Sequence, residues 1–418
     1  MTKAWFLITV LFTTLFCAGL VFVNATLLAL ALPYLLFVLL PFQRNPLPIR
    51  CQVERRLEPD YLDENTASRV TVVVTNEGPT LENVHLKDLL PAGLKTESQS
   101  EYRGTFLAGQ SRTVQYNVRA GRGKYRFPGL SITHGNLLGM WQEERFFPAG
   151  QGLTVLPAFE RLEKIKIFPY RTRAGAGIVR SRNSGTGVEF FGTRAYVQGD
   201  PLRCLNWKAG ARWDLLVTNL FEQERAADIS LILDARSIVE VKSGAASLFE
   251  HSVAAAASLA DYFLCKGNRV GFLAYGRVLE WVLPGYGKQQ RARIMDSLAQ
   301  AELGDHMAFK ELRNLPIRLF PSESQLVFIS PLRPQDVFLL RYVRALGYQV
   351  LIVSPDPVTF EKSMLPQNEC AQLAERIVRL ERDNALRKLR RSGVRVVEWD
   401  VTRPLWISIK SALTGDRR

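Results

Sequence analysis

The sequence predicts an α/β chain: a doubly wound sheet in the C-terminal half, preceded by an all-β sandwich and a two-helix transmembrane hairpin. Three observations carry this. From about Asp228 onward, continuous apolar strands alternate with helical stretches; between Cys51 and about Pro157, short β-branched runs are cut by turn residues; and residues 4–42 hold no charged side chain. The predicted divisions are residues 1–43 (hairpin), 44–157 (sandwich), 158–227 (basic connector and a dense motif) and 228–418 (α/β domain). With 418 residues and 47% apolar content, each can bury a core, which excludes disordered and fibrous classes. A net charge of +14 favours acidic partners. Five cysteines, odd in number and without a CxxC pair, exclude zinc ribbons and a disulfide framework.

The hairpin expectation rests on two uncharged runs, Ala4 to Val23 and Thr26 to Phe42, about 30 Å and about 25 Å long as helices, with Pro33 placed to kink the second. A cleavable signal peptide competes, since Lys3 precedes an apolar stretch, but a second apolar run follows at once. Lys3 before the first run and Arg44, Arg50, Arg55 and Arg56 after the second predict both ends inside. The expected location is therefore a membrane crossed twice, with the bilayer as partner and the body cytoplasmic.

In the sandwich, Arg69 to Thr75 (RVTVVVT) ends at Asn76-Glu77-Gly78-Pro79, and Ser111 to Val118 alternates again. Pro157 to Gly187 reads as a basic, solvated loop; its Gly175 and Gly177 fit neither GxxxxGK[ST] nor GxGxxG. Beyond it, strands are predicted at Ile229–Asp234, Val270–Ala274, Gln325–Ser330, Gln349–Ser354 and Val394–Glu398, with an edge at Val278–Leu283. Helices are predicted at Ser247–Cys265, Lys288–Ala301, Gln335–Leu346 and Glu369–Arg391. Apolar strands separated by helices imply a parallel sheet covered on both faces.

The motif runs from Gly187 to Glu224. Arg194-x-Tyr196-x-x-Gly199-Asp200-x-x-Arg203-x-x-x-Trp207, then Ala211-Arg212, Leu216-Val217 and Phe221-Glu222-x-Glu224, is similar to the signature of a bacterial family, the domain of unknown function 58. The resemblance extends to Arg122-Gly123-x-Tyr125 in the sandwich. It implies a von Willebrand factor A-like C-terminal domain and an accessory protein of the bacterial inner membrane working with a MoxR-type AAA+ ATPase, often beside a transglutaminase-like membrane protein. The family has no settled activity.

Physically, Arg194, Arg203, Lys208 and Arg212 stand among Asp200, Glu222 and Glu224, interleaved with Tyr196, Trp207, Trp213 and Phe221. Planar guanidinium groups and aromatic rings suit a protein-recognition surface. The same residues allow an internal role, with Asp200 paired to Arg203 or Arg212 and Trp207 anchored in the core.

The A-like resemblance implies a cation site built on Asp-x-Ser-x-Ser. Here the loop reads Asp234-Ala235-Arg236-Ser237-Ile238, and Ser330-Pro331-Leu332 stands where a further Asp is needed. Only Asp234 and Ser237 remain, and Arg236 is placed to pair with Asp234 in a metal's stead, so Mg2+ is not expected. The competing reading is a Mg2+-dependent adhesion module that holds an acidic ligand at Asp234.

His85, His134, His251 and His306 lack HxxxH or HExxH spacing, and there is no GxSxG elbow. Cys204 and Cys265 have no evident histidine partner. A hydrolase would require Asp200 and Glu222 to share a cleft. Basic residues on the Glu369–Arg391 helix form no recognised nucleic-acid module, so no nucleic-acid partner is expected. The expectation is a non-enzymatic adaptor.

Overall fold

In this computed structural model the described residues are 3–39, 48–64, 66–135, 142–162, 172–244, 246–277, 279–305, 314–322, 324–362 and 368–414; the side chains of residues 3, 4, 172–189, 191, 221–226, 243, 413 and 414 fall outside the description. The chain forms two compact units, Met1–Leu156 and Pro157–Arg418.

The first unit opens with helices α1 (Lys3–Val21) and α2 (Ala25–Leu39). They pack against each other closely enough that a Cβ on Gly19 would lie 2.9 Å from the Leu28 side chain. The expected transmembrane hairpin is corrected here: among the described residues no helix is long and apolar enough to cross a membrane. The uncharged runs overstate the helices. α2 has 15 residues and contains Pro33, giving about 22 Å against a hydrocarbon core of about 30 Å, and α1 begins on Lys3 and stops at Val21. The two-span inner-membrane location falls with it.

Strands β1 (Cys51–Glu58), β2 (Tyr61–Asp63), β3 (Ser68–Asn76), β4 (Leu81–Asp88), β5 (Lys95–Thr96), β6 (Glu101–Phe106), β7 (Ser111–Arg119), β8 (Gly123–Gly135) and β9 (Gln142–Leu156) follow. They form two sheets, ordered β1-β3-β7-β5 and β2-β9-β8-β4-β6. In β3 the residues Val70, Val72 and Val74 are buried while their neighbours are not, the period of two that directs one face inward. They meet Leu81, Leu86, Phe106, Phe127, Ile132 and Leu153 in one apolar core, a β-sandwich arrangement.

An ionic network lies in that core. The Arg55 guanidinium (β1) pairs with Asp88 (β4) and stands 4.9 Å from the centroid of Phe127 (β8); the Tyr116 hydroxyl (β7) donates to the other oxygen of Asp88. Burial pushes the Asp88 carboxyl above its ordinary range despite Tyr116 and Arg55. Removing one member strands the other's charge in the core.

The second unit contains β10 (Thr172–Ala195), α3 (Trp207–Trp213), β11 (Val217–Asp234), β12 (Lys242–Ser243), β13 (Ala246–Ser247), α4 (Leu248–Cys265), β14 (Arg269–Tyr275), β15 (Leu279–Gly285), α5 (Gly287–Gln300), β16 (Gln325–Ile329), α6 (Asp336–Ala345), β17 (Gln349–Pro355), α7 (Pro357–Lys362), α8 (Glu369–Arg391), β18 (Arg395–Trp399) and α9 (Leu405–Thr414). Its main sheet runs β15-β14-β11-β16-β17-β18, with β10 paired to β11. The pairings β14/β11, β11/β16, β16/β17 and β17/β18 are parallel, and the β15 edge is antiparallel. Ile232, Leu273, Phe328 and Ile352 share one cluster with Val337, Leu340 and Val343 of α6 and Leu386 and Leu389 of α8. Leu231, Leu233, Val327 and Val353 point the opposite way and are also buried; α4 crosses β11, β14, β16 and β17. Covered faces explain why these strands read as unbroken apolar runs.

Part of the stretch expected to be a solvated loop is instead β10. Its pairing with β11 shifts register after Ala174, Ser181, Gly185 and Phe190, and these irregularities hide a strand from a test for alternation. Residues 163–171 of that stretch lie outside the described residues.

Replacement of Asp88 by Ala is expected to lower the stability of the first unit by about 3 kcal/mol, because it leaves a buried guanidinium alone, whereas Arg55→Met with Asp88→Leu should restore much of the loss. Hydrogen exchange of peptides from β1, β4 and β7 in the full chain reads both; equal protection in wild type and Asp88→Ala contradicts the expectation.

Candidate functional site

The order of the second sheet reverses between β11 and β16: the chain passes from β11 outward to β14 and β15, then returns to β16 on the other side of β11. In open α/β sheets the strand ends at such a reversal leave a crevice where ligands bind. Here the crevice is filled from within. Asp234, the last residue of β11, accepts from Arg236 Nε (2.8 Å) and Nη2 (2.7 Å), from the Arg236 amide (3.2 Å), and from the Ser330 hydroxyl just past β16 (2.7 Å). Arg236 also donates to Asp336 in the first turn of α6, through Nη1 (3.2 Å) and Nη2 (2.9 Å). Asp336 in turn accepts from the Arg333 amide at 3.0 Å.

Arg236 is 1% exposed, Asp234 2% and Asp336 5%. Burial opposes the guanidinium charge, but hydrogen bonding and charge attraction from Asp234 and Asp336 outweigh it and hold the Arg236 pKa above its ordinary value. The backbone serves this arrangement: Leu332 adopts φ 63°, and its amide donates to the Ser330 hydroxyl. Ser237, the other remnant of the expected cation loop, gives its amide and hydroxyl to Asp305. The residues do not fit a divalent cation at Asp234, because its two oxygens already face a fixed positive charge and a hydroxyl donor, and Ser237 is engaged elsewhere.

The dense motif occupies β10, the Tyr196–Leu216 segment and the first half of β11. Gly199 sits at φ 107°, a conformation that favours glycine, and opens a turn in which the Asp200 amide donates to Val197 O (3.0 Å). Asp200 accepts from the Val197 amide (3.1 Å), Arg194 Nη2 (2.7 Å) and the Thr218 hydroxyl (3.3 Å). The Val197 amide foremost, with Arg194 and Thr218, holds the Asp200 carboxyl below the usual range. The internal partner of Asp200 is thus Arg194 rather than Arg203 or Arg212.

Asn206 caps α3: its Oδ1 accepts from the Ala209 amide (3.0 Å) and its Nδ2 donates to Asn219 on β11 (2.8 Å). Asp214, in the left-handed region at φ 51°, ends the helix. Between these pins the side chains face outward. Trp207 is 70% exposed and Trp213 57%, so Trp207 is not a core anchor. Leu202, Leu215 and Leu216 are exposed as well, as are Arg203, Lys208 and Arg212; Tyr196 is half-buried. The backbone pairs Phe221, Glu222 and Glu224 with β10, while their side chains lie outside the described residues, as does His306.

Sequence reasoning missed Asp336, which lies 100 residues beyond Arg236. Its one signal was an acidic residue opening the helix after β16, where carboxylates also favour the helix N-terminus.

The fold and site define a strand-rich α/β protein with an internally neutralised sheet crevice and an exposed aromatic and basic segment. Residues 192–313 match the model of the family described as "Protein of unknown function DUF58". The uncharacterised protein YeaD of Bacillus subtilis (strain 168) is 25% identical over 245 residues. That match spans 55% of this chain and 57% of YeaD, a little over half of each. Among solved structures, a part of Escherichia coli alpha-2-macroglobulin from domain MG7 to the C-terminus shares 19% identity over 29% of this chain and 20% of its own, at a TM-score of 0.23. The CARDB domain of the Pyrococcus furiosus protein PF1109 shares 15% over 26% and 89%, at 0.19. At these scores neither likeness carries a structural inference.

Arg236→Ala is expected to cost about 3 to 5 kcal/mol, because it leaves two carboxylates facing each other in the core. Thermal unfolding of the variant beside the wild type checks it; an unchanged midpoint contradicts it.

Proposed function

We propose that the chain is an accessory interaction protein, not an enzyme, and that the Tyr196–Leu216 segment is its docking surface. The observation that carries this reading is the outward display of Trp207, Trp213, Leu202, Leu215 and Leu216 beside Arg203, Lys208 and Arg212, on a segment whose two ends are joined by the Tyr196 amide donating to Leu216 O at 2.8 Å. Exposed tryptophans are costly on a surface with nothing to bind, and tryptophan and arginine dominate binding hot spots. The basic side chains select an acidic protein face. A MoxR-type AAA+ ATPase, with or without a transglutaminase-like protein, is the partner that the signature Arg194 to Glu224 suggests.

The crevice favours the same reading. In place of the Mg2+ of an adhesion module, Arg236 supplies the positive charge that Asp234 and Asp336 require, which removes the bridging metal through which such modules hold an acidic ligand. A hydrolase on Asp200 and Glu222 has no support in the bonds of Asp200, whose oxygens are engaged by Arg194, Val197 and Thr218.

Co-purification of the full chain from its own cells, with identification of what accompanies it, tests the proposal. Arg203→Glu with Arg212→Glu should reduce recovery of the partner by on the order of tenfold or more, with unfolding unchanged because both side chains are exposed. Undiminished recovery by the folded variant defeats the docking surface. Calorimetric titration with Mg2+ should give no single-site heat in the wild type; a clear one defeats the role assigned to Arg236.

A further inference from the structure

Helix α8 has apolar side chains on two opposite faces. The inner face is engaged from Arg382 onward: Leu386 and Leu389 join the core over the sheet, and Arg382 donates to Pro331 O, Ser354 Oγ and Pro355 O, while Val378, one turn earlier on that side, is 49% exposed. Glu375, toward the same side, pairs with Lys362 and Arg379. At about 100° per residue the opposite face carries Cys370, Leu373, Ile377, Leu380 and Asn384, all exposed. Leu373, Ile377 and Leu380 are 59%, 50% and 58% exposed. A surface helix needs one apolar stripe to dock on its own sheet, and this is a second one.

The outer stripe has the spacing three, four, three, four, which is the repeat of a coiled coil. Cys370, Ile377 and Asn384 fall at the first core position of each heptad, and Leu373 and Leu380 at the second. Ile at the first position with Leu at the second favours two parallel strands, and a lone Asn at the first position fixes register by pairing with its own copy. The flanks agree. Arg376 lies on one side of the stripe and Glu381 on the other, five residues apart, the separation that joins flanking charges across a parallel pair. A two-fold axis would create two identical Arg376–Glu381 contacts.

We infer that this face of α8 is a homodimer seam, occupied by α8 of a second copy of the chain in a parallel two-stranded coiled coil. The occupant follows from self-complementarity: the helix carries both halves of the charge pair and the polar residue that sets register. Two heptads make a small contact, so the dimer exchanges with monomer as concentration changes. The inference is independent of the docking surface on Tyr196–Leu216, which shares no residue with it.

Cys370 supplies the readout. In a parallel pair the two Cys370 residues face each other within disulfide reach, and in an antiparallel pair they lie at opposite ends. The experiment uses the full chain with Cys17, Cys51, Cys204 and Cys265 replaced by Ser, mildly oxidised. A disulfide-linked species at twice the 47.2 kDa monomer mass is expected. Ile377→Lys should abolish it without loss of helix content, since that side chain contributes nothing to the inner face. Arg376→Glu should reduce its yield by on the order of tenfold, and adding Glu381→Arg should restore it. That rescue separates a specific seam from a folding defect. Sedimentation that finds only monomer, a dimer that forms without Cys370 linkage, or linkage that persists in Ile377→Lys overturns the inference.

Discussion

The strand ends of the second unit depend on one guanidinium. Asp234 terminates β11, Asp336 begins α6, and each brings a carboxylate into a space closed to water. Without a cation between them, β11 and α6 would repel across the place where the sheet reverses its order. Arg236 supplies that cation covalently, two residues from one partner, and its planar fork offers two nitrogens to each carboxylate, a geometry that lysine does not provide. Ser330 and the Arg333 amide fix the carboxylates on their remaining sides.

The first unit follows a similar logic with different chemistry. Arg55 and Tyr116 come from one sheet, Asp88 and Phe127 from the other, so the network joins the two layers of the sandwich at a defined register. Apolar packing alone would tolerate small slips between sheets, and a directional ion pair does not. In both units a buried arginine sets position where apolar contacts set only proximity.

Much of the second sheet was legible from sequence, because strands covered on both faces must be apolar throughout and so stand out between helices. The runs ISLILD and VGFLA lie within β11 and β14, and the predicted helix Glu369–Arg391 coincides with α8. The local contact of Arg236 with Asp234 was legible for the same reason, being two residues apart. Asp336 was not, since a partner 100 residues distant leaves no mark on spacing. β10 escaped because register shifts break its alternation, and α3 because seven residues are too few to establish a helical period. The N-terminal helices show the reverse error: uncharged length was counted, while the helix ends depend on turn geometry at Phe22–Asn24 that hydropathy does not report. The sequence left Trp207 open between a recognition surface and a core anchor, because a tryptophan's chemistry is the same in either place, and its exposure removes the second.

The bonds that hold the Tyr196–Leu216 segment, through Asp200, Asn206 and the Tyr196 amide on Leu216 O, have a kinetic consequence for the proposed docking surface. A partner docking there would meet side chains already held on a fixed backbone, so little chain entropy would be forfeited upon encounter and no slow reshaping would precede capture. Complexes formed there would assemble quickly and differ mainly in lifetime.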